Sequence, residues 1–393
     1  MQQPTRWAAV WAVFAGGLVA GAYIGKIPPA LPGMRGELRL DLVASGFIAT
    51  MFNATGMLIG MAVGVLCDRY GPKRLGLAGL AVMVAGGLFG ATASTFAALL
   101  ASRFIEGIGF ILFTVAGPAL MAAAAQAPRD RAKALSLWST YMPAGGSLAL
   151  LAAPTMIAML GWRGLWALLA GVAVFAFALV ARYTPTPRYG TVASMKLVLE
   201  SLARPASWAL ALLFAFYVAQ WTSVMIWLPT YLVGERGATA GFAGFATALM
   251  VLVNVPGNLA GGWLLARGVR RGPMVIGACA IMAATSTAML TALLPDALRF
   301  ASVLAFSLCA GVIPAGIFSG VPAHAKTPQH IGTTNGMVMQ SSQAGQFLGP
   351  IVLAWLATRF GGWGATLGAM LVFAAAGAAC GAVIAAIERR RAH

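Results

Sequence analysis

Long apolar stretches recur from one end of this chain to the other, separated by short turns rich in Lys, Arg, Gly and Pro. An α-helix needs about 20 apolar residues to cross the hydrocarbon core of a bilayer. Twelve stretches of that order can be delimited, at residues 7–29, 43–66, 75–95, 97–124, 133–159, 164–182, 207–233, 239–265, 273–294, 298–322, 331–358 and 362–387. Because only helices and closed barrels satisfy every backbone group in lipid, the pattern predicts an all-α membrane protein with twelve transmembrane helices.

A polar, Pro-containing stretch divides the twelve predicted helices into two sets of six. Six spans, an interruption and six further spans are typical of a duplicated helical unit. We therefore predict an N-terminal six-helix bundle at residues 1–182, a cytoplasmic linker at 183–206 and a C-terminal six-helix bundle at 207–393. Within the linker, residues 192–202 have the pattern of an amphipathic helix that lies on the membrane surface.

The chain carries 26 Lys and Arg against 9 Asp and Glu, a formal net charge of +17. In a soluble protein that balance would indicate a nucleic-acid partner. Membrane proteins, however, concentrate Lys and Arg in their cytoplasmic loops. With the N-terminus inside, eighteen basic residues fall on the cytoplasmic side and six on the other. The asymmetry predicts an inner (plasma) membrane protein with both termini in the cytoplasm, and it leaves no reason to expect a nucleic-acid partner.

The sequence lacks the residue patterns of an enzyme. Its four cysteines lie in or beside apolar runs without paired spacing, so neither a disulfide framework nor a metal site is expected. It contains no nucleophile with an adjacent base and no Gly-rich phosphate loop. His324 and His330 fall in a predicted cytoplasmic loop. We therefore expect no enzymatic activity and no cofactor.

The turn between the second and third predicted helices carries the most specific motif of the chain. Its defining residues are Gly64, Asp68, Arg69, Gly71, Lys73 and Arg74. Their spacing resembles the signature G-x-x-x-D-R-x-G-x-K/R-R of the major facilitator superfamily, and the alternative interpretation is a generic basic turn. A degraded copy lies between the eighth and ninth helices at residues 262–272, where Ala266 replaces the acid and Arg267 follows it.

The resemblance to this superfamily covers the whole chain and implies a secondary transporter. Its fold would consist of the two six-helix bundles, which alternate in opening a binding site to either side of the membrane. It implies a monomer that carries a small molecule, with protons as the coupling ion and no cofactor. The two turns would then act in gating, through the six residues of the first motif and through Arg267 of the second.

The fourth predicted helix contains the only carboxylate that we place within a span, Glu106. The segment from Arg103 to Gly109 is similar to a second superfamily motif, R-x-x-Q-G-x-G, with Glu where the amide is more usual. Arg103 and Glu106 are three residues apart, so they can pair on one helix face. Two interpretations stay open: the pair neutralises itself and braces the bundle, or Glu106 exchanges the coupling proton.

Lys26 lies near the outer end of the first predicted helix, at a depth similar to that of Arg103. A lysine there can extend to the outer headgroups. Alternatively, Lys26 and Arg103 share a cavity with Glu106, whose net charge is then positive. A net-positive cavity would select an anionic substrate through charge-assisted hydrogen bonds.

Predicted spans 7 and 11 carry polar and aromatic residues at helical spacing. The candidate substrate-binding residues are Tyr217, Gln220, Trp221 and Trp227 of span 7, and Asn335, Gln340 and Gln343 of span 11. Polar side chains facing lipid are costly, so these faces are expected to line the central cavity. The alternative interpretations are an interfacial aromatic belt for Trp227 and hydrogen bonds between helices for the glutamines.

The motifs of spans 7, 8 and 11 together look similar to the cyanate and nitroimidazole permease group of the superfamily. That similarity implies proton-coupled symport of a small, anionic organic solute. The alternative is proton-driven efflux of a small hydrophobic drug or metabolite. Drug antiporters of the superfamily carry G-P-x-x-G-G in span 5, whereas this chain has Met142-Pro143-Ala144-Gly145-Gly146, which lacks the first glycine.

Replacement of the acid in the first motif tests its expected role in gating. We expect Asp68→Asn to reduce the rate of solute transport in proteoliposomes while the affinity for the solute stays nearly unchanged, because Asp68 is expected to stabilise a closed conformation and not to contact the solute. A large loss of affinity with normal cycling would contradict the gating role.

Overall fold

A computed structural model describes residues 5–125, 127, 130, 134, 137–138, 140–185, 200–291, 294–325 and 330–392, a few of them without their side chains. The helices are α1 Trp7–Gly25, α2 Ile27–Leu38, α3 Leu42–Tyr70, α4 Pro72–Ala91, α5 Phe96–Ala124, α6 Tyr141–Tyr183, α7 Pro205–Arg236, α8 Ala240–Ala266, α9 Arg271–Leu290, α10 Asp296–Ala310, α11 Val312–His324, α12 His330–Phe360 and α13 Leu367–Ala392. A short 3-10 helix, Trp363–Thr366, precedes α13. The described residues form no β-strand.

Ten helical segments of the described chain are long and apolar enough to cross a membrane. One of them, α6, has 43 residues, which at 1.5 Å per residue is about 65 Å, or roughly two bilayer cores. Gly161 interrupts α6 with a φ of 69°, so this segment provides two spans. The 31-residue α12 is not among the ten, because its glutamines and serines lower its mean hydropathy. With α6 taken as two spans and α12 as one, the described helices match the twelve predicted spans.

The first and tenth predicted spans are each divided by a break that the sequence analysis did not predict. Pro28 and Pro29 lack N–H donors, so the hydrogen bonding of α1 stops before them and Lys26 lies at the break. Proline is nevertheless compatible with the first positions of a helix, and α2 continues to Leu38, where a loop was expected. The second break, at Gly311, separates α10 from α11.

The chain divides into two compact units. The N-terminal unit consists of Met1–Ala193 with Leu232–Ala248, and the C-terminal unit consists of Ser194–Tyr231 with Leu249–His393. Residues 186–199 of the predicted linker, and with them most of the amphipathic helix predicted at 192–202, lie outside the described residues. The N-terminal unit thus includes the start of α8, in addition to the helices predicted for it.

Glycines bring the helices of the N-terminal unit into backbone contact. Helix α1 packs on α6, and a Cβ atom on Gly145 would lie 2.1 Å from the carbonyl oxygen of Leu18. A Cβ atom on Gly25 would lie 2.3 Å from the carbonyl oxygen of Gly146. These distances are far below van der Waals contact. The Ala144-Gly145-Gly146 segment therefore allows α6 to pack closely against α1.

Glycines also bring the helices of the C-terminal unit into backbone contact. A Cβ atom on Gly345 of α12 would lie 2.1 Å from the carbonyl oxygen of Ala215 in α7, and one on Gly257 of α8 would lie 2.0 Å from that of Leu308 in α10. Helix α9 packs on α10 and α13. Small residues therefore set the closest helix contacts in both units.

Several large apolar side chains are exposed, whereas some charged side chains are buried. Phe175 is 65% exposed and Val372 is 64% exposed, whereas Lys26 and Arg103 are at most 1% exposed. In water this distribution would be unfavourable, but it is the one that a surrounding bilayer requires.

Two alanine substitutions in α6 test the contact between α1 and α6. We expect Gly145→Ala to lower the free energy of unfolding in detergent by about 1–3 kcal/mol, because the new methyl group overlaps the backbone of α1. The matched control is Gly171→Ala, where no atom lies within 4 Å of the added Cβ, and its effect should stay within about 1 kcal/mol. Equal thermal stabilities of the two variants would contradict this contact.

Candidate functional site

The site is built around Lys26, whose side chain points into the N-terminal unit. Its backbone N–H donates to the carbonyl oxygen of Ala22, which closes the last turn of α1. The side chain is fully buried, so it does not extend to a membrane surface as one of the two sequence interpretations proposed. The Lys26 ammonium group therefore lies inside the bundle, at the helix break before Pro28 and Pro29.

The Lys26 ammonium, the Arg103 guanidinium and the Glu106 carboxylate form one ion cluster, which we call the charge cluster. Nζ of Lys26 lies 2.7 Å from Oε1 of Glu106. Nη1 of Arg103 pairs with the other oxygen, Oε2, across one turn of α5. Each carboxylate oxygen thus faces a different cation. With all three groups ionised the charge cluster has a net charge of +1, because it contains two cations and one anion.

Aromatic rings and backbone carbonyls surround the two cations. The Lys26 ammonium lies 4.1 Å from the ring centroid of Tyr23 and 4.1 Å from that of Trp166. Arg103 donates to the carbonyl oxygens of Tyr23 at 3.2 Å and of Ile48 at 3.3 Å, and it lies 4.6 Å from the ring of Phe52. Ring faces and carbonyl oxygens both attract cations, so they lower the cost of removing these groups from water.

Glycines of α4 make the space that the charge cluster occupies. A Cβ atom on Gly86 would lie 2.8 Å from Cγ of Glu106, and one on Gly90 would lie 2.5 Å from Cδ1 of Trp166. Sequence reasoning missed Tyr23, Trp166 and these glycines. The glycine spacing was a visible signal of close approach, but nothing local to Tyr23 or Trp166 indicated a cation as their neighbour.

In the C-terminal unit, Trp221 and Tyr217 of α7 take part in a network of neutral hydrogen bonds. Nε1 of Trp221 donates to Oγ of Ser307 at 2.9 Å, and that hydroxyl donates to the carbonyl oxygen of Met250 at 2.6 Å. Nδ2 of Asn254 donates to the carbonyl oxygen of Ser307 at 2.9 Å and lies 3.5 Å from the hydroxyl of Tyr217. The network joins α7, α8 and α10.

The other predicted residues of α7 are held apart from this network. Trp227 donates from Nε1 to the carbonyl oxygen of Pro350 at 3.0 Å and packs on Trp363 with a centroid distance of 5.4 Å. Gln220 is buried, and its Oε1 atom has no hydrogen-bond partner among the described residues. Trp227 therefore links α7 to α12 and to the 3-10 helix, whereas the carbonyl oxygen of Gln220 accepts no hydrogen bond within the described residues.

The predicted residues of α12 differ in burial. Gln343 is buried, and its Oε1 atom lacks a hydrogen-bond partner within the described part of the chain. Asn335 and Gln340 are partly exposed. Their neighbours Ser342 and Gln346 bond to each other at 3.1 Å within α12, so this bond does not test the expected hydrogen bonds between helices.

The first superfamily-like motif forms the turn between α3 and α4. Gly71 has a φ of +84°, which favours glycine, and Lys73 donates to the carbonyl oxygen of Thr184 at 2.7 Å, which ties α4 to the end of α6. The side chain of Asp68 lies outside the described residues. No described atom lies within 4 Å of a Cβ atom placed on Gly64.

The remaining basic residues of the two turns lie at the surface. Arg69 and Arg74 are exposed, and Arg69 lies 5.4 Å from the ring of Tyr70. In the second turn Arg267 lies 3.9 Å from the ring of Trp263, and Gly268 repeats the φ of +84° seen at Gly71.

A second ionic cluster contains a residue that the sequence analysis placed in a loop. His324 is instead the last residue of α11 and is buried, with Nε2 3.2 Å from Oε1 of Glu388. Arg271 pairs with the same carboxylate. This cluster joins α9, α11 and α13. Within the described residues no three His, Cys, Asp or Glu side chains gather in a way that could bind a metal.

The described helices that are long and apolar enough to cross a membrane, with charged side chains buried among them, define a polytopic membrane protein. The chain belongs to the Major Facilitator Superfamily, whose family model matches residues 13–350. Members of this superfamily are membrane transporters and not enzymes.

Three curated relatives share part of the sequence. The chain is similar to the methylenomycin A resistance protein of Bacillus subtilis, 29% identical over 168 residues, which cover 43% of this chain and 36% of that protein. It is similar to the nitrite extrusion protein of Bacillus subtilis, 23% identical over 302 residues, 76% of this chain and 74% of that protein. It is also 30% identical to the human protein spinster homolog 1 over 223 residues, 52% of this chain and 42% of that protein. The chain thus spans about a third of the first relative and less than half of the third.

One solved structure shares the whole fold. It is the crystal structure of a bacterial homolog of the human lysosomal transporter Spinster, in an inward-facing and unoccupied conformation. The match has a TM-score of 0.84 and covers 98% of both chains at 16% sequence identity. At that identity the similarity establishes the fold alone.

Paired substitutions of two glutamates test the charge cluster's contribution to stability. We expect Glu106→Gln to lower the free energy of unfolding in detergent by about 3–5 kcal/mol, because it leaves two buried cations without their anion. The matched control is Glu37→Gln, which breaks a largely exposed pair with Arg163 and should cost at most about 1 kcal/mol. A Glu106→Gln variant as stable as Glu37→Gln would contradict the buried cluster.

Proposed function

We propose that this transporter carries a small organic anion together with a proton across the inner (plasma) membrane. It acts by alternating access, as a monomer with both termini in the cytoplasm. The observation that carries the proposal is the charge cluster, in which Lys26, Glu106 and Arg103 are each at most 1% exposed and share a net charge of +1.

The excess positive charge of the cluster supports an anionic substrate. A buried net charge is costly, and a bound anion would neutralise it. Lys26 and Arg103 are therefore the proposed substrate-binding cations. Nε1 of Trp166 supports this, because it is a buried donor without a hydrogen-bond partner in the described structure, on a ring 4.1 Å from the Lys26 ammonium. An anion beside Lys26 would give that N–H an acceptor.

The position of Glu106 supports coupling between the anion and a proton. Its carboxylate holds both cations, so an arriving anion competes with it for them. Any proton gained or lost by the cluster changes that competition. We therefore assign proton coupling to the cluster through Glu106, on which both ion pairs depend.

Neutral side chains of the C-terminal unit are proposed to complete substrate recognition. Gln220 and Gln343 each have a buried carbonyl oxygen without a partner in the described part of the chain. Tyr217 and Trp221 are held rigidly by the Ser307 network. We include Asn335, Gln340 and Trp227 in this set from their place in the motifs. Those motifs look similar to the cyanate and nitroimidazole permease group, which supports a small anion.

The two basic turns are the proposed gating elements. The hydrogen bond between Lys73 and Thr184 ties the first turn to the end of α6, so a movement of either helix end would break it. Gly64, Asp68, Arg69, Gly71 and Arg74 belong to the same turn, and Arg267 to the second one.

Efflux of a small hydrophobic compound is the second candidate function. The relatives support it, since one is named for resistance to methylenomycin A and another for nitrite extrusion. The latter name also fits export of a small anion, so the direction of transport is a separate question from the charge of the substrate.

Proton movement in proteoliposomes tests the proposal. An internal pH dye would follow acidification after external addition of formate, lactate, cyanate or nitrite, one at a time. We expect one of these anions to drive proton entry in the wild type and in Glu37→Gln, and the rate to fall at least tenfold in Glu106→Gln. If no small anion moves protons, the proposal fails, and protection of cells against hydrophobic antibiotics would become the assay.

A further inference from the structure

We infer that the transported proton resides on the amine of Lys26, while Glu106 stays a carboxylate throughout the transport cycle. This inference rests on the proposed proton-coupled transport of an anion and specifies the atom that carries the proton. It follows from the number and arrangement of charges in the cluster.

The net buried charge distinguishes the two possible proton sites. With Lys26, Arg103 and Glu106 all ionised, the charge cluster has a net charge of +1. Protonation of Glu106 would raise the buried charge to +2 and leave two cations without an anion. Loss of a proton from Lys26 would instead leave a neutral pair of Arg103 and Glu106. Because buried net charge is costly, the cluster cycles between +1 and 0.

The hydrogen bonds favour the same assignment. Both oxygens of Glu106 are occupied, one by Lys26 and the other by Arg103, so a proton on either oxygen would displace a cation. The Arg103 guanidinium does not release a proton in proteins. Among the described hydrogen bonds, the Lys26 ammonium donates only to Glu106, and its other neighbours are the two ring faces. One of its three protons can therefore leave without breaking a strong hydrogen bond.

No other described charge stands beside Lys26. Helix α5 contributes Arg103 and Glu106, and α1 contributes Tyr23, whose hydroxyl donates to the carbonyl oxygen of Met83 at 3.1 Å. Helix α6 contributes Trp166, and α4 contributes glycines, Gly86 next to Glu106 and Gly87 next to Tyr23. The protonation of Lys26 therefore responds mainly to the Arg103–Glu106 pair and to a bound solute.

Coupling follows from this charge balance. A cluster at +1 with a bound monoanion has no net charge, and an empty cluster that has lost the Lys26 proton also has none. A cluster with the proton alone has a net charge of +1, and one with the anion alone has −1. The two states of zero net charge are the least costly to enclose in the membrane, so one proton accompanies one anion. The substrate class is accordingly monovalent anions, and transport is electroneutral.

The variant Lys26→Arg separates the two assignments, because an arginine keeps the positive charge and cannot release a proton. In proteoliposomes with an internal pH dye, we expect proton movement driven by the anion to fall at least tenfold. Exchange of the anion across the membrane should continue. Net anion transport should become sensitive to a potassium-valinomycin potential, to which the wild type is insensitive. The matched control is Arg163→Lys at the exposed ion pair, which should behave as the wild type.

Two spectroscopic measurements on the wild type apply even if Lys26→Arg does not fold. In protein labelled with 15N at the lysine side chains, addition of the anion at constant pH should shift one Nζ resonance, assigned by its loss in Lys26→Met. Infrared difference spectra should show no band of a protonated carboxylic acid at any stage. Proton coupling retained in Lys26→Arg, or such a band that disappears in Glu106→Gln, would overturn the inference. A wild type that moves no proton with any anion would overturn the proposed function itself, before any variant is compared.

Discussion

The N-terminal unit depends on one constraint, which is that three charged groups enclosed among apolar helices must pair with one another. Lys26, Arg103 and Glu106 meet because α1 breaks at Lys26 and because α5 places its Arg and Glu one turn apart. These ion pairs fix the rotation of α5 about its axis, since any large rotation would expose the Glu106 carboxylate to lipid. The glycines of α4 then become necessary, because a Cβ atom on Gly86 would overlap Glu106.

One buried polar network of the C-terminal unit consists of uncharged groups. Trp221, Ser307 and Asn254 satisfy one another and the backbone in a closed set of hydrogen bonds. Such a network costs less to bury than ions, but it has no state that a proton can change near neutral pH. The charge cluster of the N-terminal unit and this network of the C-terminal unit thus differ in chemistry, since one is ionic and the other is neutral.

The sequence predicted the helices well because the apolar runs are long and the turns between them are basic. It also predicted the pairing of Arg103 with Glu106, since residues three apart on a helix are neighbours by geometry. It did not predict α2, because Pro28, Pro29 and Pro32 look like the end of a helix although the first two are compatible with the start of another. The placement of the Tyr23 and Trp166 rings beside the Lys26 ammonium could not be predicted, because it depends on contacts between α1 and α6 that no local pattern encodes. The aromatic stripe of α7 was treated as one surface, yet Trp221 and Trp227 bond to different helices.

The acid in α5 and the base at the end of α1 make sense only together. The motif that α5 resembles usually has an amide where this chain has Glu106, and with that amide Arg103 alone would give the site a fixed charge of +1. Adding Glu106 without Lys26 would cancel this charge, and adding Lys26 without Glu106 would raise it to +2. With both Lys26 and Glu106 present, the net charge of the site is +1 when Lys26 is protonated and zero when Lys26 is neutral. A binding site for anions thereby acquires a proton-dependent charge, and Glu106 is needed because it makes the second cation tolerable and not because it carries the proton.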